Sequence, residues 1–146
     1  MPSVNPADSR LLAALAQMHP APPNSEQQTL AQLRAKLAQG ALPAARRLAP
    51  TLRGTLSYPT AMLELAESQQ QAGQPDAARR TLRLAQRHTR HLYEGDIKNG
   101  YPRAYYLTLI AEAQVQLHDP ASAAATLASI TPEQQRQEAT QRVLPL

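Results

Sequence analysis

The sequence predicts an all-α fold built from repeated helix pairs. Residues 62–82 and 107–127 align without a gap at a spacing of 45 residues, and eight of the 21 positions are identical. Each copy contains an amphipathic stretch, a turn near a proline and an alanine-rich stretch. No segment alternates with a period of two, so no strand is predicted. The identities include Ala66/Ala111, Glu67/Glu112, Gln69/Gln114, Pro75/Pro120, Ala78/Ala123 and Leu82/Leu127.

The composition limits both the core and the function. The chain has 146 residues, which is the length of one domain. It contains five Tyr and no Trp, Phe or Cys. Leu, Ala, Met, Ile and Val must therefore build the core, and disulfides and thiolate metal sites are excluded. The net charge of +4 favours acidic partners or surfaces. No run is long enough to cross a bilayer, so no transmembrane segment is predicted. The N-terminus lacks the basic start of a signal peptide, which predicts a cytoplasmic protein. A periplasmic location is the alternative if a signal was removed.

The N-terminal half is punctuated by prolines and glycines. We expect residues 1–24 to form a helix from Pro6 and a proline-rich linker, and residues 25–146 to form the repeat domain. Ser25 is predicted to be a helix N-cap, and Gln28 would complete a capping box with it. Glycines at 40 and 54 predict helix ends. Pro43 restarts a helix that Pro50 should kink or shorten.

The C-terminal half gives the clearer helices. We expect helices over 59–72, from 75 to about 93, and over 102–117, separated by Gly73 and by the polar loop 94–100. Asp119 is placed to cap the next helix, with Pro120 in its first turn. Thr131 and Pro132 open a last helix that runs to about Arg142 and should cap the stack. The prediction is seven or eight helices in total.

These segments resemble the tetratricopeptide repeat. The resemblance rests on Leu65-Ala66, Ala72-Gly73, Ala78, Leu82 and Ala85, on Ile110-Ala111, Ala123, Leu127 and Ile130 in the second copy, and on a degenerate upstream copy with Gly40 and Ala44–Arg47. The second copy has His118 in place of the usual turn glycine. The common first-helix aromatic residues are missing, and the 45-residue spacing exceeds the family's 34. The resemblance implies a short right-handed α-solenoid with flanking cap helices.

The resemblance also implies a concave groove lined by the first helix of each pair. A non-catalytic adaptor, co-chaperone or assembly factor would bind a partner peptide or helix there. The identical Glu67 and Glu112 would form its electrostatic centre and favour a partner with Lys or Arg. The alternative is that these are ordinary solvated helix faces. The predicted groove residues are Leu63, Glu64, Glu67, Gln70, Gln71, Tyr105, Thr108, Leu109, Glu112, Val115 and Gln116.

A basic stripe offers a second candidate surface. Five arginines of the helix from Pro75 to about Tyr93 fall within about 100° of arc, whereas Thr81, Leu82, Ala78, Ala85, Thr89 and Leu92 should face the core. The stripe favours an anionic surface, either nucleic acid or membrane, as the alternative function. Few aromatic residues lie nearby and the face is expected to be convex, so nucleic acid is disfavoured and a solvated face is the simpler interpretation. The stripe consists of Arg79, Arg80, Arg83, Arg87 and Arg90.

No catalytic or metal-binding signature is found. The sequence has no glycine-rich phosphate loop, no HExxH, no GxSxG and no cysteine nucleophile. His88, His91 and Glu94 lie one turn apart, but Arg87 and Arg90 oppose a cation there. We therefore predict neither enzyme activity, cofactor nor metal. A homo-oligomer, in which the N-terminal segment fills a neighbour's groove, is a further alternative.

Overall fold

A computed structural model describes residues 23–92, 101–130 and 133–144. Within these ranges the chain is helical and contains no strand, which confirms the all-α prediction. The predicted N-terminal helix and the loop 94–100 lie outside the described residues. The elements are α1 Pro23–Ala38, α2 Leu42–Leu48, a 3-10 helix Ala49–Leu52, α3 Ser57–Gln71, α4 Pro75–Thr89, α5 Tyr101–Gln116, α6 Pro120–Ala128 and α7 Glu133–Val143.

Three helices end in the same left-handed turn. Gly40, Gly73 and His118 have φ angles of 74°, 76° and 59°. The residue after each of these three donates its backbone N–H to the carbonyl oxygen five positions earlier. This hydrogen bond is the one that closes a helix in a Schellman-type cap. The two glycine stops are thereby confirmed, and His118 adopts the same conformation although it carries a Cβ. The bonds run from Ala41 to Lys36 at 2.8 Å, from Gln74 to Gln69 at 2.8 Å and from Asp119 to Gln114 at 2.9 Å.

The helix starts agree with the sequence in part. Pro75 and Pro120 open α4 and α6, and the Asp119 carboxylate accepts a hydrogen bond from the Ser122 N–H at 3.4 Å, as predicted. The capping box at Ser25 is wrong, because α1 begins at Pro23 and Ser25 lies in its first turn. Helix α2 gives way to the 3-10 helix just before Pro50, as the missing proline N–H requires.

A contact between distant segments fixes the start of α3. This helix begins two residues before Pro59, at Ser57. The Glu26 carboxylate of α1 accepts hydrogen bonds from both the N–H and the hydroxyl of Ser57. A side chain 31 positions earlier therefore satisfies an N–H group that no neighbouring side chain caps.

The helices pack as successive pairs around one core. Helix α1 packs against α2, α3 against α4 and α5 against α6, while α1 contacts α3, α3 contacts α5 and α5 contacts α7. Leucines and isoleucines at the centre of each pair are fully buried, and buried alanines let the helices approach closely. All six α4-region residues predicted to face the core are buried, which confirms the predicted orientation of this helix: Ala78, Thr81, Leu82, Ala85, Thr89 and Leu92.

Two helix pairs each contain the same kind of buried polar contact. The Thr81 hydroxyl donates to Gln69 Oε1 at 2.6 Å, and the Thr126 hydroxyl donates to Gln114 Oε1 at 2.6 Å. The two bonds occupy equivalent positions of the 45-residue repeat. The α3–α4 and α5–α6 pairs therefore share an internal hydrogen bond as well as a sequence pattern.

Candidate groove across the first helices

An open cavity lies between α3 and α5. Its volume is about 420 Å³, and Leu82, Leu117, Ala66 and Ala113 form part of its lining. Eight of the eleven predicted groove residues line it. From α3 these are Leu63, Glu64, Glu67, Gln70 and Gln71, and from α5 they are Leu109, Glu112 and Gln116. The structure thus brings together residues that the sequence separates by up to 53 positions.

The other three predicted groove residues lie elsewhere on α5. Thr108 is buried, and its hydroxyl donates to the Ala104 carbonyl at 2.8 Å. Val115 is half-buried and packs against the core. Tyr105 is 51% exposed and stacks edge-on against Tyr106, with ring centroids 5.2 Å apart. Tyr105 precedes Leu109 by one turn on the same helix face, so it lies beyond the end of the cavity.

Helix α1 extends the groove. A second open cavity, of about 410 Å³, lies between α1 and α3 and shares Glu64, Glu67 and Gln71 with the first. Its α1 wall includes Arg34 and Leu37. The groove residues predicted from the sequence include none from α1. The sequence signal that points to this helix is the 33-residue offset of the degenerate copy, which aligns Arg34 with Glu67. We refer to the two cavities together as the groove.

Two of the three groove glutamates are already paired. Arg34 binds Glu64 through two nitrogens, with Nε 3.0 Å from Oε1 and Nη2 3.0 Å from Oε2. This hydrogen bond and the charge of Glu64 raise the pKa of Arg34. At the other side of the groove, Arg142 of α7 lies with Nε 2.5 Å from Oε1 of Glu112. Glu64 and Glu112 therefore hold neighbouring helices together.

Glu67 is the exception. It is exposed and has no ion-pair partner in the part of the chain that the structure describes. Its only hydrogen bond there is a long one, 3.5 Å, from Gln71 Nε2. Among the described residues, Glu67 is thus the one groove carboxylate without a cationic partner, whereas its repeat equivalent Glu112 is paired with Arg142. Leu63 and Leu109 give the same groove an apolar component.

The arginine stripe has two kinds of member. Arg79 donates from Nε to the Leu117 carbonyl at 2.8 Å, and Arg83 lies 3.3 Å from an Asp119 carboxylate oxygen. These two contacts tie α4 to the turn between α5 and α6. Arg90 donates to a His91 ring nitrogen at 3.1 Å. Arg80 and Arg87 are exposed and make no hydrogen bond or ion pair within the described residues.

Of the two histidines, His88 takes part in packing. His88 meets Tyr58 edge-on, with ring centroids 5.8 Å apart and planes at 88°. Burial lowers the pKa of His88, and the charges of Arg53, Arg87 and His91 lower it further. Glu94 lies outside the described residues. Among those described, no three His, Asp or Glu side chains are close enough to hold a metal ion.

Neither the protein-family models nor the curated proteins nor the solved structures contain a significant match to this chain. None of the helices in 23–92, 101–130 and 133–144 has the length and apolarity needed to span a membrane.

Proposed function

We propose that this protein is a non-catalytic interaction module that binds a peptide or helix of a partner protein in the groove. The observation that carries the proposal is the lining of the cavity between α3 and α5. Eight residues chosen from sequence line a single cavity there, and Glu67 has no cationic partner among the residues that the structure describes. An open, amphipathic cavity with one free charge suits a peptide segment.

We further propose that the helix pairs form a short, tetratricopeptide-like solenoid. Contacts between α1, α3 and α5 support this arrangement, because they place the first helix of each pair against the next. The three left-handed turns at Gly40, Gly73 and His118 support it as well. In such an array the first helices would line the concave side.

The groove chemistry defines the partner segment. A Lys or Arg side chain would pair with Glu67, and an apolar side chain would pack on Leu63 and Leu109. The glutamines Gln70, Gln71 and Gln116 offer both donors and acceptors for a peptide backbone. Because the groove spans only three helices, the segment is short. A second attachment point, through dimerisation or a larger assembly, would then add avidity. Such a module would serve as an adaptor, a co-chaperone or an assembly factor.

The arginine stripe supports an alternative function less well. Docking on nucleic acid or membrane would require free arginines along α4, whereas Arg79 and Arg83 are held by the α5–α6 turn. The other members of the stripe are Arg80, Arg87 and Arg90, so this face offers fewer free positive charges than the five arginines that the sequence places on it.

A charge-reversal pulldown tests the groove. Glu67→Arg is compared with Glu138→Arg, which makes the same charge change on the exposed face of α7, outside the groove. Tagged wild type and both variants are incubated with nuclease-treated lysate, and bound proteins are quantified by mass spectrometry. We expect a protein that is captured by wild type and Glu138→Arg and is lost in Glu67→Arg.

Equal capture by all three proteins would contradict the groove proposal. Both substitutions are at exposed positions, so we expect both variants to fold. Thermal melts check this and thereby separate loss of binding from loss of folding. The pulldown is repeated with untreated lysate, and a species that is captured only when the nuclease is omitted would instead support the stripe.

A further inference from the structure

Two further cavities lie away from the groove and share no lining residue with it. The larger, of about 580 Å³, is bounded by residues of α2 and α4, including Arg46 and Arg47. The smaller, of about 160 Å³, is bounded by Arg46, Arg53, Arg80 and Tyr58. Both are lined by Arg46, Pro50, Gln69 and Ala77, so they are adjacent. We call these two cavities the basic pockets.

The basic pockets concentrate positive charge without a counter-charge. Four arginines line them, and no Asp or Glu does so among the residues that the structure describes. Arg46, Arg47 and Arg80 make no hydrogen bond or ion pair there. By contrast, Arg34 and Arg142 each meet a carboxylate of a neighbouring helix. Bringing like charges together is unfavourable unless an anion joins them.

Gln69 adds a further hydrogen-bond donor to the basic pockets. Gln69 lines both, and its carboxamide oxygen is already occupied by the Thr81 hydroxyl, which leaves its NH₂ group to donate. The buried Tyr58 hydroxyl donates to the Leu84 carbonyl at 3.4 Å. Arg53 acts on that same phenol, because its charge opposes the rise in the pKa of Tyr58 that burial causes. A lining of guanidinium and amide donors matches a ligand that only accepts hydrogen bonds.

Phosphate oxygens have that property, and arginine binds them through two parallel hydrogen bonds. We propose that the basic pockets bind a small ligand that carries two or more phosphate groups. One phosphate occupies the smaller pocket between Arg46, Arg53 and Arg80, and the next lies in the larger pocket near Arg47. This site is independent of the proposed function of the groove.

The shape of the site favours a small polyanion over a nucleic acid or a membrane. A phosphate must enter a concave pocket to reach all three arginines of the smaller cavity. A membrane presents its headgroups as a broad, flat surface, which does not fit into such a pocket. Tyr58 is the one aromatic residue of the lining in the part of the chain that the structure describes. It is only 1% exposed, so it offers no face on which a base could stack.

Calorimetric titration of tripolyphosphate into the full chain tests the proposal, with orthophosphate as the single-phosphate comparison. The test variants are Arg46→Gln and Arg80→Gln. The matched control is Arg87→Gln, which removes an exposed arginine of α4 that has no partner within the described ranges and lines neither pocket. We expect tripolyphosphate to bind more tightly than orthophosphate. Each test variant should weaken binding roughly tenfold or more, because each removes charge-assisted hydrogen bonds, and Arg87→Gln should change it little.

Three results would overturn the proposal. The first is the absence of tripolyphosphate binding to a folded wild type. The second is an equal loss in Arg46→Gln and Arg87→Gln, which would indicate diffuse charge attraction. The third comes from titrating single-stranded DNA or anionic vesicles in parallel. Tighter binding of either probe than of tripolyphosphate, with equal dependence on Arg87 and Arg46, would assign the positive charge to a surface.

Discussion

Thr81 and Gln69 form a buried hydrogen bond of 2.6 Å between α4 and α3, from the threonine hydroxyl to the carboxamide oxygen. Thr126 and Gln114 form the same bond between α6 and α5. The two copies of the repeat carry the same residues at these positions, and this hydrogen bond explains why. In the α1–α2 pair, Lys36 and Leu48 occupy the corresponding positions, so that pair lacks the bond.

We predict that Thr81→Val destabilises the fold by about 1–3 kcal/mol, because it leaves the oxygen of buried Gln69 without a donor. The double variant Gln69→Leu/Thr81→Val should recover part of this loss, since it removes both polar groups. Urea denaturation followed by circular dichroism measures both values. If Thr81→Val is as stable as wild type, the bond has no net role, and the shared feature of the two pairs is packing alone.

The turns at Gly73 and His118 offer a reciprocal test. Both residues have positive φ, and a Cβ at Gly73 would meet no atom within 4 Å. The difference between them is therefore backbone strain, which is about 1–2 kcal/mol for a residue with a side chain. His118→Gly should raise the free energy of unfolding by about 1 kcal/mol, and Gly73→His should lower it by a similar amount.

Chemical denaturation of the two variants at neutral pH measures the changes. Opposite signs are the decisive feature, because a general effect of histidine on solubility or charge would not depend on the turn geometry. Two changes of the same sign would show that His118 is stabilised by contacts of its ring that the backbone argument omits.

The parts of the structure that depend on local sequence could be predicted. The α4 core face follows from helical periodicity, and the α6 cap follows from an aspartate placed before a proline. The core face and the cap need only the geometry of one helix or of one turn. The eight groove residues came instead from the resemblance to the tetratricopeptide repeat, mapped onto the two aligned copies.

The parts that depend on contacts between distant helices could not be predicted. The pairing of Glu64 with Arg34 and of Glu112 with Arg142 joins residues 30 positions apart in each case, and it decides which groove charge remains free. Glu26 sets the start of α3 across 31 positions. Thr108 has a groove spacing on α5, yet the packing of that helix buries it. In all three cases helix-to-helix orientation decides the outcome, and periodicity carries no information about it.

Arg79 and Arg87 lie on the same stripe and should differ in their effect on stability. Arg79 donates to the Leu117 carbonyl at 2.8 Å and is 28% exposed, whereas Arg87 is exposed and has no partner among the described residues. Arg79→Ala should cost about 1–2 kcal/mol, because it leaves that carbonyl without its donor. Arg87→Ala should stay within about 0.5 kcal/mol of wild type. Urea midpoints compare the two, and equal midpoints would show that the Arg79 contact does not hold α4 against the α5–α6 turn.

We predict that His88 makes the free energy of unfolding depend on pH near neutrality. Burial against Tyr58, and then the charges of Arg53, Arg87 and His91, lower the pKa of its imidazole below the usual 6.5. The unfolded chain therefore binds the proton more readily, so the stability that neutral His88 contributes is complete above about pH 6.5 and is lost as the pH falls towards the folded pKa. The free energy of unfolding of wild type minus that of His88→Gln should decrease from about pH 7.5 to about pH 5.5. In an Arg53→Gln background the decrease should be smaller, because one of the charges that disfavour imidazolium is gone. Parallel pH profiles for wild type and His88→Gln would mean that the imidazole is solvated and that another group sets the pH dependence.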